Sequence, residues 1–298
     1  MVRGLLLCSR RIFSCGSSQT ASLVPLRSVT SSPLLLSAPS PRPSEGVKER
    51  DSNRSRIAQC QNGLYPGHIT TTASQKILLT FNSAYSCLTD PARDDMVAVF
   101  GETSGSMALR HMRRKMLADP VGRQILQDQP VINTRTVDIN HLGTLPEGTF
   151  GKEYWHFLQD NNFSPDARRS VKYVDDLDLM YVMLRYRQVH DLVHVLLEMP
   201  PNMLGEVLVK WFEGVQTGLP MCYTTALLWP YIRLGPKDRA KYHHMYLRWA
   251  VRSGSTAMFL MNVYFEKHWE TNLAELRREL NVEPAPVPLR KRKERPEE

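Results

Sequence analysis

The hydrophobic residues of this chain recur at helical spacing over 64–282, with Pro and Gly separating one run from the next. Within the first run, 74–88, one helical face collects a continuous stripe: Ile77, Phe81, Ala84, Tyr85 and Leu88. Later runs predict helices over 106–119, 120–127, 151–160, 177–198, 202–217, 222–233, 236–252 and 255–280. The pattern therefore predicts an all-α fold, a predominantly helical single domain.

Three segments interrupt the helical pattern. Residues 131–137 alternate enough to predict a short strand or extended crossing, and residues 140–151, rich in Gly and Pro, predict a loop. The run from Gly101 to Gly105 is too short for a phosphate-binding loop and predicts a turn. These segments leave the prediction predominantly helical.

The stripe on residues 74–88 has two interpretations. Such a stripe usually packs into a hydrophobic core, and that is the default expectation. Lys76 is the one charged residue in this run, so the stripe could instead lie shallowly in a membrane interface. No part of the sequence approaches the roughly 18 consecutive apolar residues of a transmembrane helix. Any membrane association is therefore expected to be peripheral.

Positive charge is concentrated near the N-terminus. The chain has a formal net charge of +8, and five of those charges are Arg residues within 1–44, a segment that also holds eleven Ser and no acidic residue. This composition is typical of a mitochondrial presequence, and it removes most of the case for a nucleic-acid-binding body. The five Cys residues are scattered without a C-x-x-C pair, which argues against a disulfide framework or a thiolate metal site.

One cluster of residues carries candidate chemistry. His190 and His194 lie one helical turn apart and about 40° from each other around the helix axis, so a single metal ion can bridge the two imidazoles. Asp191 can complete the coordination sphere or orient a ligand imidazole. A Pro-Pro turn then carries Glu206, at the start of the next helix, back to the same seam. Two imidazoles with carboxylates suit Zn²⁺, and also Fe²⁺ or Mn²⁺.

A histidine pair at this spacing can also lie in a helix without binding metal. Here Val193, Val195 and Leu196 place the helix in the interior, where uncompensated carboxylates are costly and a common counter-charge is needed. The motif differs from the H-E-x-x-H of metalloproteases, because Asp191 directly follows the first His and no Glu occupies the general-base position. The sequence therefore favours a metal site and disfavours peptidase activity.

The pattern His-Asp-x-x-His, followed by eleven residues and Glu, resembles the signature of the Coq4 family of mitochondrial ubiquinone (coenzyme Q) biosynthesis proteins. The resemblance extends over 64–282 and includes Leu64-Tyr-Pro-Gly-His-Ile69, Gly101-Glu-Thr-Ser-Gly105, Glu147-Gly-Thr-Phe-Gly-Lys-Glu-Tyr154, Gly214-Val-Gln-Thr-Gly-Leu-Pro220 and Glu275-Leu-Arg-Arg-Glu-Leu280. It implies an α-helical protein that binds Zn²⁺ through His190, Asp191, His194 and Glu206. It also implies a peripheral position on the matrix side of the mitochondrial inner membrane.

The function implied by this resemblance is removal of the C1 carboxylate from 4-hydroxy-3-methoxy-5-polyprenylbenzoate, within a complex of other ubiquinone-biosynthesis enzymes. An alternative is a non-catalytic organiser that binds polyprenyl lipid, with a structural zinc. Four protein ligands would close a tetrahedral zinc site and favour the organiser, whereas an open position would favour the enzyme. Zn²⁺ has no redox chemistry, so a step that consumes O₂ would need more than zinc.

The sequence thus predicts four parts. They are a mitochondrial presequence (1–44), a linker (45–63), a helical metal-binding domain (64–282) and a disordered tail (283–298). The expected partners are the other enzymes of the pathway, the polyprenylated ring substrate and the inner-membrane surface, and no nucleic acid.

Overall fold

The computed structural model describes residues 63–90, 93–287 and 289. Within these residues the chain forms twelve α-helices, joined by short helical turns and loops. In chain order they are α1 (Ala73–Thr89), α2 (Asp94–Ser104), α3 (Ser106–Ala118), α4 (Pro120–Asp128), α5 (Ile139–Thr144), α6 (Phe150–Asn161), α7 (Leu177–Leu197), α8 (Met203–Thr217), α9 (Pro220–Ile232), α10 (Pro236–Lys241), α11 (Leu247–Thr256) and α12 (Leu273–Glu279).

The prediction of an all-α fold is confirmed. Within the described ranges no strand occurs, and one isolated β-bridge joins Thr149 to Asn272. A π-helical turn, Tyr242–Tyr246, connects α10 to α11. The predicted presequence, almost all of the predicted linker and most of the predicted tail lie outside the described residues.

Of the two alternatives predicted at 131–137, a short strand or an extended crossing, the strand is wrong. The side chain of Asn133 accepts hydrogen bonds from the backbone N–H groups of Arg135 (2.9 Å) and Thr136 (3.0 Å), and this folds the segment into a turn. The loop predicted at 140–151 is wrong in part, because Asp138 caps α5 by accepting from the N–H groups of Asn140 and His141. In both segments, local hydrogen bonds from backbone N–H groups to a capping side chain determine the conformation.

The turn predicted from Gly101 to Gly105 is also wrong, because α2 continues to Ser104. Gly101 sits within the helix where a Cβ atom would lie 2.4 Å from the sulfur of Met221. Gly101 therefore allows α2 and α9 to approach each other closely, and its role is packing.

The continuous helix predicted over 255–280 is wrong. Helix α11 ends at Thr256, and the chain passes through two 3₁₀ turns, Leu260–Asn262 and Phe265–Lys267, before α12. The buried amide of Gln216 on α8 donates to the carbonyl of Met258 (2.9 Å) and accepts from the N–H of Leu260 (3.0 Å). These hydrogen bonds satisfy backbone groups outside a helix, at a position that local sequence pattern cannot reveal.

Helix α7 is the central element. Asp176 caps its first turn by accepting from the N–H of Leu179 at 2.9 Å. Side chains from its first half, such as Tyr181 and Met183, belong to one buried hydrophobic cluster, and those from its second half, such as Leu192 and Leu196, belong to another. The helix therefore passes from one hydrophobic cluster into the other, which fixes the position of the histidines in its second half.

Helix α1 does not bury the large side chains of the predicted stripe. Ser83 and Cys87 are its buried residues, whereas Ile77, Phe81 and Tyr85 are 57%, 72% and 68% exposed. The core interpretation of the stripe is therefore wrong for these three large side chains. None of the helices in the described ranges has the length and apolar character that a bilayer crossing requires.

A buried ion pair ties α7 to the segment after α11. The guanidinium of Arg185 is fully buried and donates to both carboxylate oxygens of Glu266, at 2.5 and 3.0 Å, and to the carbonyl of Val263 at 3.2 Å. A buried guanidinium needs these acceptors, because an unpaired charge in the interior is strongly unfavourable.

Glu266→Ala is expected to lower the free energy of unfolding by about 3–5 kcal/mol, because it leaves the Arg185 charge buried without its anion. Glu279→Ala, at an exposed position of α12, is the matched control and should change that free energy by less than about 0.5 kcal/mol. Urea unfolding followed by circular dichroism measures both. Equal, small effects of the two substitutions would contradict the expected role of the pair.

Candidate metal centre

A sharp reversal between α7 and α8 assembles the candidate site. Glu198 ends α7 in the left-handed conformation (φ 53°), and the side chain of Asn202 begins α8 by accepting from the N–H of Gly205 at 2.9 Å. A Cβ atom at Gly205 would lie 2.0 Å from the carbonyl oxygen of Pro200, so only glycine permits this tight turn. The reversal directs Glu206, in the first turn of α8, toward the histidines of α7.

His190, His194 and Glu206 converge. Each residue offers one ligand atom, and these atoms lie within 4.8 Å of one another. The Glu206 carboxylate spans the two rings, with Oε2 3.5 Å from Nε2 of His190 and Oε1 3.2 Å from Nε2 of His194. The structure therefore brings three of the four predicted residues together between the two successive helices.

The surroundings of His194 test whether this cluster suits a metal ion. Its Nδ1 lies 3.0 Å from the carbonyl oxygen of Met199, which can only accept, so Nδ1 carries a hydrogen and donates it. In the neutral ring, Nε2 then presents a lone pair to Glu206; it is buried and makes no hydrogen bond. With the ring neutral, two acceptors face each other at 3.2 Å, a contact that a bridging cation or a proton on Nε2 would satisfy. The residues fit a divalent metal.

His190 is oriented by a carboxylate that the sequence analysis missed. Its Nδ1 lies 2.7 Å from Oε1 of Glu213, which leaves Nε2 facing Glu206. Oε2 of Glu213 accepts from the hydroxyl of Tyr186 and from Nζ of Lys210, each at 2.7 Å. Carboxylates commonly orient metal-binding imidazoles in this way. The spacing held a signal, since Glu213 follows Glu206 by seven residues, two turns along one face of α8.

The charges of the cluster depend on one another. Burial alone would lower the pKa of His190, but the carboxylates of Glu213 and Glu206 together outweigh it and raise the pKa to about 9. Burial would raise the pKa of Glu206, yet the imidazoles of His194 and His190 hold that pKa well below its usual value. A proton on imidazole and a divalent cation are therefore alternative ways to balance the same carboxylates.

Asp191, the fourth predicted ligand, lies apart from this cluster. Its carboxylate forms an ion pair with the guanidinium of Arg168, a residue in the segment between α6 and α7. The side chains of Arg168 and Asp191 are 24% and 12% exposed. The structure therefore brings together three of the four predicted ligands, and it places the fourth against a cation. Coordination by Asp191 remains a prediction.

The cluster opens onto a cavity of about 620 Å³. His190, Asp191 and Glu206 lie on its wall. Basic residues from three parts of the chain also line it: Arg168, Arg169, Arg187 and Lys210. Its apolar lining includes Val97, Met203, Met221 and Trp229. A cavity with both kinds of lining suits a molecule that combines an anionic group with an apolar body.

Comparison with known proteins agrees with the resemblance predicted from the motif. Residues 65–286 match the family described as coenzyme Q (ubiquinone) biosynthesis protein Coq4. The mitochondrial ubiquinone biosynthesis protein COQ4 homolog of Xenopus tropicalis is 50% identical over 242 residues, 81% of this chain and 86% of the relative. The corresponding Bos taurus protein is 50% identical over 224 residues, 75% of this chain and 84% of the relative. The COQ4 homolog 1 of Culex quinquefasciatus is 52% identical over 215 residues.

The fold also has a counterpart among solved structures. A crystal structure of a protein described as a ubiquinone biosynthesis protein, from Nostoc punctiforme, superposes with a TM-score of 0.55 and 19% sequence identity. It covers 70% of this chain and 96% of that chain, and at this identity it shows the shared fold alone. The family match and the mitochondrial relatives over most of the described residues lead to one conclusion: the chain belongs to the Coq4 family of coenzyme Q (ubiquinone) biosynthesis proteins.

Proposed function

We propose that this chain is a carboxy-lyase of ubiquinone biosynthesis that removes the C1 carboxylate of 4-hydroxy-3-methoxy-5-polyprenylbenzoate. Zn²⁺ is the proposed cofactor, held by His190, His194 and Glu206. The observation that carries the proposal is the convergence of these three side chains, two of which, His190 and Glu206, lie on the wall of a cavity with basic and apolar lining. The printed names of the relatives, all ubiquinone biosynthesis proteins, supply the pathway.

The cavity matches the two ends of this substrate. Arg168 supplies positive charge for a ring carboxylate, and Met221 and Trp229 supply apolar surface for a prenyl chain. A volume of about 620 Å³ is that of a pocket for a drug-sized molecule. The ring and the first isoprene units fit such a volume, whereas a long polyprenyl tail must extend beyond it.

Decarboxylation breaks the bond between C1 and the carboxyl carbon. CO₂ leaves, the electron pair stays on C1, and a proton takes the place of the carboxylate. Bound Zn²⁺ would supply a Lewis acid that stabilises negative charge developing on the ring and its oxygens. Lys210 and Tyr186, hydrogen-bonded to each other at 3.1 Å on the cavity wall, supply N–H and O–H groups beside His190.

The arrangement supports an enzyme more than an organiser with structural zinc. A structural site has four protein ligands around the ion, whereas a catalytic site keeps one position for water or substrate. Three ligands converge here, and the Glu206 side chain is 27% exposed. Asp191, which would close the site, is held by Arg168 instead.

We further propose that the exposed apolar face of α1 contacts the matrix face of the mitochondrial inner membrane. Leu78 and Phe81 are 69% and 72% exposed, and the helix contains no acidic residue that a lipid surface would repel. The relatives are named mitochondrial. On this membrane the protein would receive its polyprenylated substrate and meet the other enzymes of the pathway.

His194→Ala and Glu206→Ala are each expected to reduce bound zinc from about one ion per chain to a small fraction, because each removes one of three ligands. Elemental analysis of dialysed protein measures the content. His244→Ala, at an exposed position away from the cluster, is the control and should retain full zinc. Full zinc in all three variants would rule out this site.

Zinc-loaded protein incubated with the carboxylated ring substrate, without partner enzymes, is expected to release CO₂ and to give a product with hydrogen at C1. Mass spectrometry identifies the product, and trapped CO₂ gives the rate. A product with a hydroxyl at C1, formed with consumption of O₂, would contradict zinc as the sole cofactor. Absence of CO₂ from protein with full zinc would contradict the proposed activity.

The double variant Leu78→Ser, Phe81→Ser is expected to weaken binding to phospholipid vesicles by more than about tenfold, since each large apolar side chain contributes about 1.5–3 kcal/mol when fully buried. Flotation of the protein with vesicles measures binding. Asn82→Ser, at an exposed position of the same helix, is the control. Equal flotation of the double variant and the control, with unchanged circular dichroism, would contradict the membrane contact.

A further inference from the structure

Helix α3 presents a basic face that the proposed catalytic site does not use. Arg110 and Arg114 lie one helical turn apart on this face, and both are exposed. Among the described residues, neither guanidinium has an acidic partner or a hydrogen bond. The helix contains Arg and Lys residues but no Asp or Glu. Two positive charges on α3 are therefore left without compensation from the protein.

The other basic residues of α3 are engaged within the fold. Arg113 donates to Oδ2 of Asp178 from Nη2 at 2.5 Å and from Nε at 3.0 Å. Nζ of Lys115 lies 3.8 Å from the centroid of the Phe259 ring. Lys115 also lies in the last turn of α3, where the helix dipole favours a cation. The dipole does not account for Arg110, which lies in the second turn.

The charges of Arg110 and Arg114 are unfavourable for the helix by itself. Like charges one turn apart repel each other and destabilise a helix, whereas an acidic residue at this spacing would stabilise it. Helix α3 has no such acidic residue. The basic face is therefore suited to a partner that brings negative charge to it.

A cavity of about 550 Å³ lies between this face and the start of α7. Its wall combines three guanidinium groups, one carboxylate and two apolar side chains: Arg110, Arg113, Arg114, Asp176, Met107 and Leu179. The carboxylate of Asp176 is engaged as the cap of α7, and the side chain of Met107 is 80% exposed. Guanidinium groups donate paired hydrogen bonds to phosphate oxygens. The cavity therefore suits a phosphate group that is joined to an apolar body.

Helices α1 and α3 meet at the N-terminal end of α7. Nζ of Lys76, on α1, donates to Asp175 at 2.5 Å, and Arg113, on α3, donates to Asp178 three residues later. Lys76 directly precedes Ile77 and Leu78, where the exposed apolar stripe of α1 begins. The basic face of α3 is thus tied to the same end of α7 as the start of that stripe.

We propose that Arg110 and Arg114 bind the phosphate groups of anionic phospholipids, so that α3 makes the membrane contact selective for negatively charged lipid. The inference rests on the proposed function, in which α1 contacts the membrane. Apolar side chains of α1 enter a bilayer of any headgroup, whereas guanidinium groups distinguish anionic from zwitterionic headgroups. Helix α1 therefore supplies binding strength, and α3 supplies the choice of lipid.

The test measures flotation of the full chain with two kinds of vesicle, phosphatidylcholine alone and an equal mixture of phosphatidylcholine and phosphatidylglycerol. The double variant Arg110→Gln, Arg114→Gln is expected to bind the mixed vesicles about 25-fold more weakly at low salt, because each basic side chain near an anionic surface contributes about fivefold. Its binding to phosphatidylcholine alone should be unchanged. Arg110→Lys with Arg114→Lys should retain most of the binding, since it keeps both charges.

Lys237→Gln with Arg278→Gln is the matched control, because it removes the same net charge from exposed positions of α10 and α12. This control should weaken binding to the mixed vesicles by less than about twofold, since salt screens distant charges. All variants share the N-terminal segment, so its positive charge contributes equally to each comparison. An equal loss in the control and in the α3 double variant would overturn the inference, since net charge alone would then explain binding.

Equal binding of the wild type and the α3 double variant to the mixed vesicles, with unchanged circular dichroism, would also overturn it. A face that instead binds an acidic protein would give this result. The variant Leu78→Ser, Phe81→Ser tests the membrane contact of α1 on phosphatidylcholine alone. Failure of that contact is therefore measured on neutral vesicles, and failure of this inference is measured by the ratio between the two kinds of vesicle.

Discussion

Two carboxylates at the seam between α7 and α8, one buried and one partly exposed, set the conditions for the rest of the site. Glu213 and Glu206 lie two turns apart on one face of α8, and charges so poorly exposed to water require cationic partners. Lys210 and the imidazole of His190 balance Glu213, which is nearly inaccessible to solvent. Glu206 has only imidazoles within ion-pair distance among the described residues. Protons on these imidazoles, or a divalent cation in their place, therefore balance the Glu206 carboxylate at the point where the cavity begins.

The spacing of His190, His194 and Glu206 was sufficient to predict their convergence, because a helical turn and a short Pro-Pro reversal fix relative positions within one local structure. Long-range partners were not predictable in the same way. Arg168 reaches Asp191 from the segment before α7, and nothing in the local pattern distinguishes an aspartate that binds metal from one that binds a guanidinium. Glu213 was within reach of the same reasoning, since its spacing from Glu206 follows the helical period.

The errors in the predicted elements have the same physical origin. The amide of Gln216 satisfies backbone groups near Met258 and Leu260, so a run with helical composition and no Pro or Gly breaks into turns. The apolar stripe on α1 shows a second limit of prediction from the hydrophobic pattern. Periodicity locates an apolar face of a helix, but the same face results whether protein or lipid is to cover it. The buried face of α1 instead carries Ser83 and Cys87, small side chains that allow close packing against α2.

Helix α9 contributes both to the cavity and to the exposed apolar surface that the proposed function requires. Its residues Met221, Thr225 and Trp229 line the cavity beside the candidate metal cluster. The second half of the helix also exposes Leu227, Leu228, Tyr231 and Ile232, which are 50%, 40%, 59% and 52% accessible. Arg233, just after this helix, donates to the carbonyls of Leu88 and Thr89 at the end of α1, so the ends of the two helices with exposed apolar residues are joined. The same helix therefore borders both the cavity and a set of exposed apolar side chains. Under the proposed function, a polyprenyl tail that is too long for the cavity would pass along these apolar side chains toward lipid while its ring stays beside His190 and Glu206.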